Sequence, residues 1–191
     1  MLDLILSYFT RSTFITIFVL SWLSIYFIVT FTILISRYVG LSAWQHREAK
    51  ALESLLMGGR ISLSGSIFQK INTEKISKEA LAIYKGKAER DSTSGLTWLS
   101  IIASTSPFIG LFGTVVSILD TFSKLGGGNS GIETIAPAIS EALVATGCGI
   151  FVAIPAYTFS LLIKRKAYEV MSIISRTADI LLFKANTGKA I

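Results

Sequence analysis

Two apolar stretches decide how this chain folds: Ser106-Pro107-Phe108-Ile109-Gly110-Leu111-Phe112-Gly113-Thr114-Val115-Val116-Ser117 and Glu141-Ala142-Leu143-Val144-Ala145-Thr146-Gly147-Cys148-Gly149-Ile150-Phe151. Each belongs to a run long enough to cross a bilayer, and each carries small and hydroxyl residues in a register. At about 100° per residue, Ala103, Ser106, Gly110, Thr114, Ser117 and Thr121 fall on one narrow helix face. Ala142, Thr146, Gly149, Ala153, Ala156 and Ser160 repeat the three-four rhythm. The bulky residues, Ile102, Phe108, Ile109, Leu111 and Phe112 in the first run and Leu143, Val144, Ile150, Phe151 and Ile154 in the second, lie elsewhere. A membrane helix that keeps so small and polar a face either packs it against another helix or lines a pathway with it.

Working outward, no charged residue occurs between Arg11 and Arg37, between Asp91 and Asp120, or between Glu141 and Lys164. Each gap exceeds the ~20 residues a helix needs to span the hydrocarbon core. The fold expected is an all-α integral membrane protein with three transmembrane helices, over 13–36, 96–122 and 137–163. The first run is too long for the apolar region of a secretion signal and no small-x-small cleavage site follows it, so it reads as an uncleaved membrane helix. Aromatic and β-branched residues fall all round it, the pattern of a lipid-facing outer helix.

The net charge of +6 has a topological source: ten of the 18 Lys and Arg residues lie in Arg37–Arg90 and six from Lys164 onward. Basic residues collect on the cytoplasmic side. This places the lead of 1–12 in the periplasm, 37–95 in the cytoplasm, the turn of 123–136 in the periplasm and the tail of 164–191 in the cytoplasm. The basic excess therefore needs no nucleic-acid partner. Cys148, the one cysteine, sits mid-span among small residues and reads as a packing residue. The lone His46 has no Cys, His or Asp cluster beside it, so neither a metal nor another cofactor is expected, and no catalytic constellation points to an enzyme.

Within 37–95, Leu41, Trp44, Ala51, Leu52, Leu55 and Leu56 fall near one side of a helix. Gly58-Gly59 and Ser64-Gly65 break it, and Ile76, Ala80, Ile83, Tyr84 and Lys87 begin a second helical pattern. Glu79, Lys85, Glu89 and Arg90 suit a solvated face. The segment is too short and too charged for a large core of its own, and membrane helices two and three are expected to extend into a cytoplasmic helical bundle. Gly126-Gly127-Gly128 lacks the Lys and the preceding strand of a phosphate loop. It reads as a turn making spans two and three an antiparallel hairpin. Pro137 is expected just inside the start of the third helix, whose pattern runs on to about Phe183.

The two seams leave two readings open. Small residues let backbones approach, with Ser and Thr bonding their own helix; or the hydroxyls line a passage for water or protons. Thr114 lies six residues inside Asp120 and Thr146 five residues inside Glu141. At ~1.5 Å per residue both are about 8 Å from the outer end, at matched depth in a hairpin. No Asp, Glu, His or Lys lies in the middle of any span, although a proton path normally uses a titratable group. Glu141, at the outer edge, is the only carboxylate near both passage and membrane, where a helix's first turn also favours it. Pro107 and Pro155 take an N–H from the carbonyls of Ala103 and Phe151, so the hairpin either flexes there or bends statically.

At these residues the chain resembles the MotA/TolQ/ExbB proton-channel family of bacterial inner-membrane motors. The resemblance is carried by the stretch from Ser106 to Val115, by Ala136-Pro137-Ala138-Ile139-Ser140-Glu141-Ala142-Leu143-Val144-Ala145-Thr146-Gly147, and by Ala153-Ile154-Pro155-Ala156. It covers roughly residues 95–165. The short lead and Leu2-Asp3-Leu4 look more like the TolQ branch than ExbB, and three spans argue against MotA. Val116-Ser117 stands where the family commonly has Trp-Gly.

The resemblance implies a homopentamer in membrane lipid whose second and third helices line a pore. TolR- or ExbD-like single-span subunits in that pore would supply the missing membrane aspartate, and a TolA- or TonB-like protein would lie beyond them. Proton flow would then deliver work to the outer membrane, in envelope maintenance and cell division or in nutrient import. Thr114, Thr146 and Glu141 would occupy the family's functional positions, with Ser117 and Ser106 beside them on the pathway. Gly110, Gly149, Ala142, Ala153, Pro107 and Pro155 would supply packing and kinks. A secondary transporter would need broken helices and inverted repeats, which are not seen. A purely structural scaffold would show no proton flux.

Overall fold

The computed structural model describes residues 14–57, 65–71, 76–125 and 132–187. The lead of 1–12, the Gly58-Gly59 break, Ser64 and the glycines of the 123–136 turn lie outside them. The described residues form helices α1 (Phe14–Leu56), α2 (Lys78–Thr93), α3 (Leu96–Leu125) and α4 (Ile132–Asn186), with a 3-10 turn at Ile67–Lys70. Three stretches are long and apolar enough to cross a membrane: Phe14–Leu56, Lys78–Ser123 and Ile135–Asn186. The fold is that of an all-α membrane protein.

Helix ends follow local chemistry. Ser77 is the N-cap of α2 and accepts from the Ala80 N–H at 3.2 Å. Between α2 and α3 the chain turns at Ser94-Gly95, where Gly95 takes φ +84°, a left-handed conformation that a Cβ disfavours. The helix heading for the second span therefore breaks immediately before it. Helix α1 does not break between span and following segment; it runs unbroken for 43 residues. Helix α4 begins at Ile132, so Pro137 lies in its second turn rather than its first. The helix starts earlier than the proline signal implies. It passes through Pro137 and Pro155, as α3 passes through Pro107.

The chain divides into two compact units. One takes the described residues up to Ile33 together with Trp98–Ser160. Its core is Val19, Leu23, Ile102, Ala145, Val152 and Ala156, with Tyr26, Phe27, Ile109 and Cys148 packed against it. The first span is not uniform around its circumference. Thr16, Val19, Leu23 and Thr30 form a buried stripe, while Phe14, Phe18, Ile25 and Ile28 are exposed. Stacked rings of Phe27 and Phe151, 5.8 Å between centroids, and an edge contact of Phe31 with Phe159 at 5.3 Å tie α1 to α4. Ile102, expected among the outward bulky residues, is 2% exposed because α1 covers that flank of α3.

The other unit takes Leu34–Thr97 and Leu161–Ile191. Leu41, Ala51, Leu55, Phe68, Leu81 and Ala88 are buried there, as are Ile163, Val170, Ile174 and Leu181 of α4 at helical spacing. Leu56, the last residue of α1, is exposed; in α2, Ile83 and Lys87 are exposed and the buried face runs through Leu81, Ala88 and Ser92 instead. Helix termini are closed by long cations: Arg37 Nη2 donates to the carbonyls of Asp91 (2.5 Å) and Ser92 (3.4 Å) at the end of α2. Lys184 Nζ donates to the Leu55 carbonyl at the end of α1, at 2.9 Å. These are the carbonyls a helix leaves without an internal donor.

Glu48 is buried on the Leu41–Leu55 face. Its Oε1 accepts from Trp44 Nε1 (2.9 Å) and the Ile67 N–H (2.8 Å), and its Oε2 from Ser66 Oγ (2.7 Å). Three donors on one carboxylate offset its desolvation. They also hold the 3-10 turn against α1, where Phe68 is buried and its ring lies 5.9 Å from that of Tyr84.

Candidate functional site

The two small-residue seams meet. A Cβ added at Gly110 would lie 2.6 Å from the Ala145 carbonyl and 3.2 Å from Gly149 Cα. One added at Gly149 would lie 2.6 Å from the Ser106 carbonyl. Both obstacles are backbone, so only glycine permits this approach. Gly113 adds a third close point, facing the Val19 and Ala145 side chains. Ala142, Ala145, Val152, Ala153 and Ala156 are buried along the same line of α4. The contacts descend α3 from 114 to 106 as they climb α4 from 142 to 149, the order of an antiparallel pair.

One step along the seam from the glycine contact, the hydroxyls of Thr114 and Thr146 hydrogen-bond each other. Thr114 Oγ1 also lies 3.0 Å from the Ala142 carbonyl and 3.3 Å from that of Gly110. A hydroxyl has one proton to give and two lone pairs. The arrangement is therefore a short chain, in which Thr146 gives its proton to Thr114 and Thr114 gives its own to a carbonyl, or the pair turns round. Thr114 is buried and Thr146 is half-buried, so the pair has one closed and one open end. The equal depths expected for the two threonines are met by direct contact.

The remaining polar residues divide by surroundings. Ser117 is buried and its Oγ lies 3.0 Å from Thr16 Oγ1, so the third member of this polar layer comes from α1. Ser106 is fully buried and donates to the Ile102 carbonyl at 2.5 Å. Its hydroxyl is committed to its own helix beside the Gly110–Gly149 contact. Glu141, one residue before the carbonyl that receives Thr114, is half-buried, and its Oε1 is inaccessible without a hydrogen-bond partner. A buried acceptor in that state is open to an incoming hydrogen-bond donor.

Reading the sequence missed Thr16, Gly113 and Glu48. Thr16 has a signal in the sequence: with Val19, Leu23 and Thr30 it falls on one face of α1 at helical spacing. Gly113 follows Gly110 by one helical turn. Glu48 sits where an apolar residue belongs in the series Leu41, Trp44, Glu48, Ala51, Leu55.

The geometry can be set beside known proteins. Residues 48–176 match the MotA/TolQ/ExbB proton channel family. A Helicobacter pylori protein named as an ExbB-like 1 biopolymer transport protein is 42% identical over 188 residues, 96% of this chain and all of that protein. The Tol-Pal system protein TolQ of Pseudomonas aeruginosa is 41% identical over 78 residues, 40% of this chain and 34% of its own length. The biopolymer transport protein ExbB of Neisseria gonorrhoeae is 52% identical over 63 residues, 32% of this chain and 29% of its own. The buried glycine contact, the paired threonines and the three long apolar helices thus sit in a chain that belongs to the MotA/TolQ/ExbB proton-channel family of membrane proteins.

Proposed function

We propose that the chain is the pore-forming stator subunit of a motor driven by the proton motive force in a bacterial inner membrane. Five copies surround two single-span subunits, TolR- or ExbD-like, that carry a membrane aspartate. The N-terminus is periplasmic and the Lys/Arg-rich segments are cytoplasmic. The observation that carries this reading is the hydroxyl pair Thr114–Thr146, closed at one end and open at the other, in a chain with no acid inside its charge-free runs. Such a pair can pass a proton only to or from a group brought to its open end. That requirement calls for a second protein.

In this reading Thr146 meets the partner's acid, Thr114 holds Thr146 in place, and Ser117 with Thr16 continues the polar layer. Glu141, with its unpartnered oxygen, receives protons at the periplasmic edge. Ser106, Gly110, Gly149, Ala142 and Ala153 fix the two helices together, and Pro107 and Pro155 allow them to bend.

The work delivered is envelope maintenance and cell division, as in TolQ, through a TolA-like protein. A second reading, import energised through a TonB-like protein, is favoured by the full-length similarity to the ExbB-like protein of Helicobacter pylori. Deleting the gene discriminates: chained, leaky cells support the first, and loss of iron-chelate uptake with normal septation supports the second. The stator reading itself is tested by native mass measurement of the protein purified in mild detergent with its neighbouring single-span subunit. A ring of five copies with partner bound is expected. A stable monomer that binds no partner contradicts it.

A further inference from the structure

The charge-free run of α4 ends at Ile163 and is followed at once by Lys164-Arg165-Lys166. The three cations have different surroundings. Lys166 is drawn inward: its Nζ donates to Gln45 Oε1 of α1 at 2.9 Å and to Glu169 Oε2 at 3.2 Å. Arg165 Nε lies 3.4 Å from the other oxygen of Glu169, with its side chain 81% exposed. Lys164 is exposed, and its ammonium has no partner among the described residues. One carboxylate thus serves three cations, and positive charge stays uncompensated on the outer side of the helix.

These side chains border a groove of about 460 Å³ lined by Leu161, Lys164, Arg165, Tyr168, Glu169 and Ser172. The lining residues recur at three and four, so the groove follows one face of α4. Most of its wall is carbon, from Leu161, the Tyr168 ring and the methylene stems of the two cations. Leu161 and Tyr168 are 50% and 66% exposed, so no described residue covers that carbon. A free phosphate or an acidic peptide would answer the charge and leave the wall bare. An anion with an apolar body answers both.

Depth points the same way. At ~1.5 Å per residue, Lys164 lies about 5 Å beyond Leu161, and Tyr168 about 6 Å beyond Lys164. A headgroup layer is about 5–8 Å deep on each side of the hydrocarbon core. With the end of the charge-free run at the edge of the core, Leu161 meets acyl chain and Lys164 and Arg165 meet the phosphate. Tyr168 then stands at the outer edge of the layer, a level at which tyrosine is enriched.

We propose that this groove seats one anionic phospholipid, its phosphate between Lys164 and Arg165 and the start of its acyl chains on Leu161. Basic clusters just beyond a membrane helix attract acidic lipid in general. Here Glu169, held by Lys166 and Gln45, fixes Arg165 at one side of the groove, so the two cations are presented to one ligand. The site lies wholly on α4 and requires neither the ring nor the single-span partner.

Native mass measurement of the full-length protein in mild detergent, titrated with phosphatidylglycerol or phosphatidylcholine, tests the seat. Phosphatidylglycerol is expected to bind at least tenfold more tightly than phosphatidylcholine. Lys164→Gln combined with Arg165→Gln should weaken phosphatidylglycerol at least tenfold, with unchanged helix content and melting, since both side chains are exposed. Lys87→Gln combined with Arg90→Gln removes the same charge from exposed positions of α2 and should leave binding as it was. Equal losses in the two double variants would reduce the effect to general charge and overturn the seat, as would equal binding of the two lipids. A polyglutamate peptide that displaces phosphatidylglycerol at a lower concentration than the lipid itself requires would assign the groove to an acidic segment and overturn the proposal as well.

Discussion

The two threonines of the seam are chemically alike but differ in surroundings. Thr114 is enclosed by the carbonyls of Gly110 and Ala142, whereas Thr146 keeps an open side. Replacing either with Val keeps the shape and removes the hydroxyl. Thr146→Val is expected to lower proton flux at least tenfold in liposomes while the assembly survives, because Thr114 still has the Ala142 carbonyl to donate to. Thr114→Val should lower flux similarly and also destabilise the assembly by about 1 kcal/mol, because it breaks a buried hydrogen bond between helices. Full flux from both variants would reduce the seam to a packing surface. Gly110→Ala is a separate case. Its Cβ would meet backbone that cannot give way locally, so a loss of about 1–3 kcal/mol in thermal or denaturant stability is expected. The three-four rhythm made this seam legible, since small residues on one face of an apolar helix have few other uses. The direct contact of Gly110 with Gly149 was not legible, because a rhythm gives the face of each helix and not the rotation of its partner.

Among the elements, α1 departs furthest from the reading of its sequence. Its aromatic residues fall on all sides, and that hid the stripe of Thr16, Val19, Leu23 and Thr30 which packs on α3 and α4. Hydrophobicity cannot separate a lipid-facing residue from a packed one, because both neighbours are apolar. The continuation of α1 to Leu56 was legible only in part. The charges from Arg37 onward mark a change of solvent without ending a helix. Glu48 shows the same limit: its heptad place was readable, but its donors Ser66 and Ile67 arrive from a distant turn. Glu48→Ala leaves those donors unpaired beside Phe68, and a loss on the order of 3 kcal/mol is expected. Limited proteolysis should then cut the 57–77 stretch sooner while the membrane helices stay intact.

Helix α4 supplies a pH-dependent element. The Lys166 ammonium donates to the Glu169 carboxylate at 3.2 Å and, with Gln45 and Arg165 nearby, holds that carboxyl below its ordinary value of 4.5. A lowered carboxyl contributes stability that is complete above its ordinary value and disappears as pH falls through the lowered one. The difference in stability between the protein and Glu169→Gln should therefore stay constant down to about pH 4.5 and shrink below it. A difference that already fades between pH 6 and 5 would contradict the assignment.

At the scale of the whole molecule, the charge pattern and the three apolar runs made the fold class legible, and the motif around Thr114 and Glu141 made the family legible. The absence of an acid inside those runs carries the mechanism. A membrane potential supplies ~2.3 kcal/mol per charge per 100 mV, enough for a few protons to drive a helix bundle through a cycle. In the proposed reading the hydroxyls of this chain pass a proton, and no Asp, Glu, His or Lys lies in the middle of its spans to hold one. The most direct test reconstitutes the ring in liposomes, alone and with its single-span partner, and follows internal pH under an imposed potential. Flux is predicted only with the partner, and it should vanish when the partner's membrane aspartate is changed to asparagine. Robust flux from this chain alone would contradict the shared pathway.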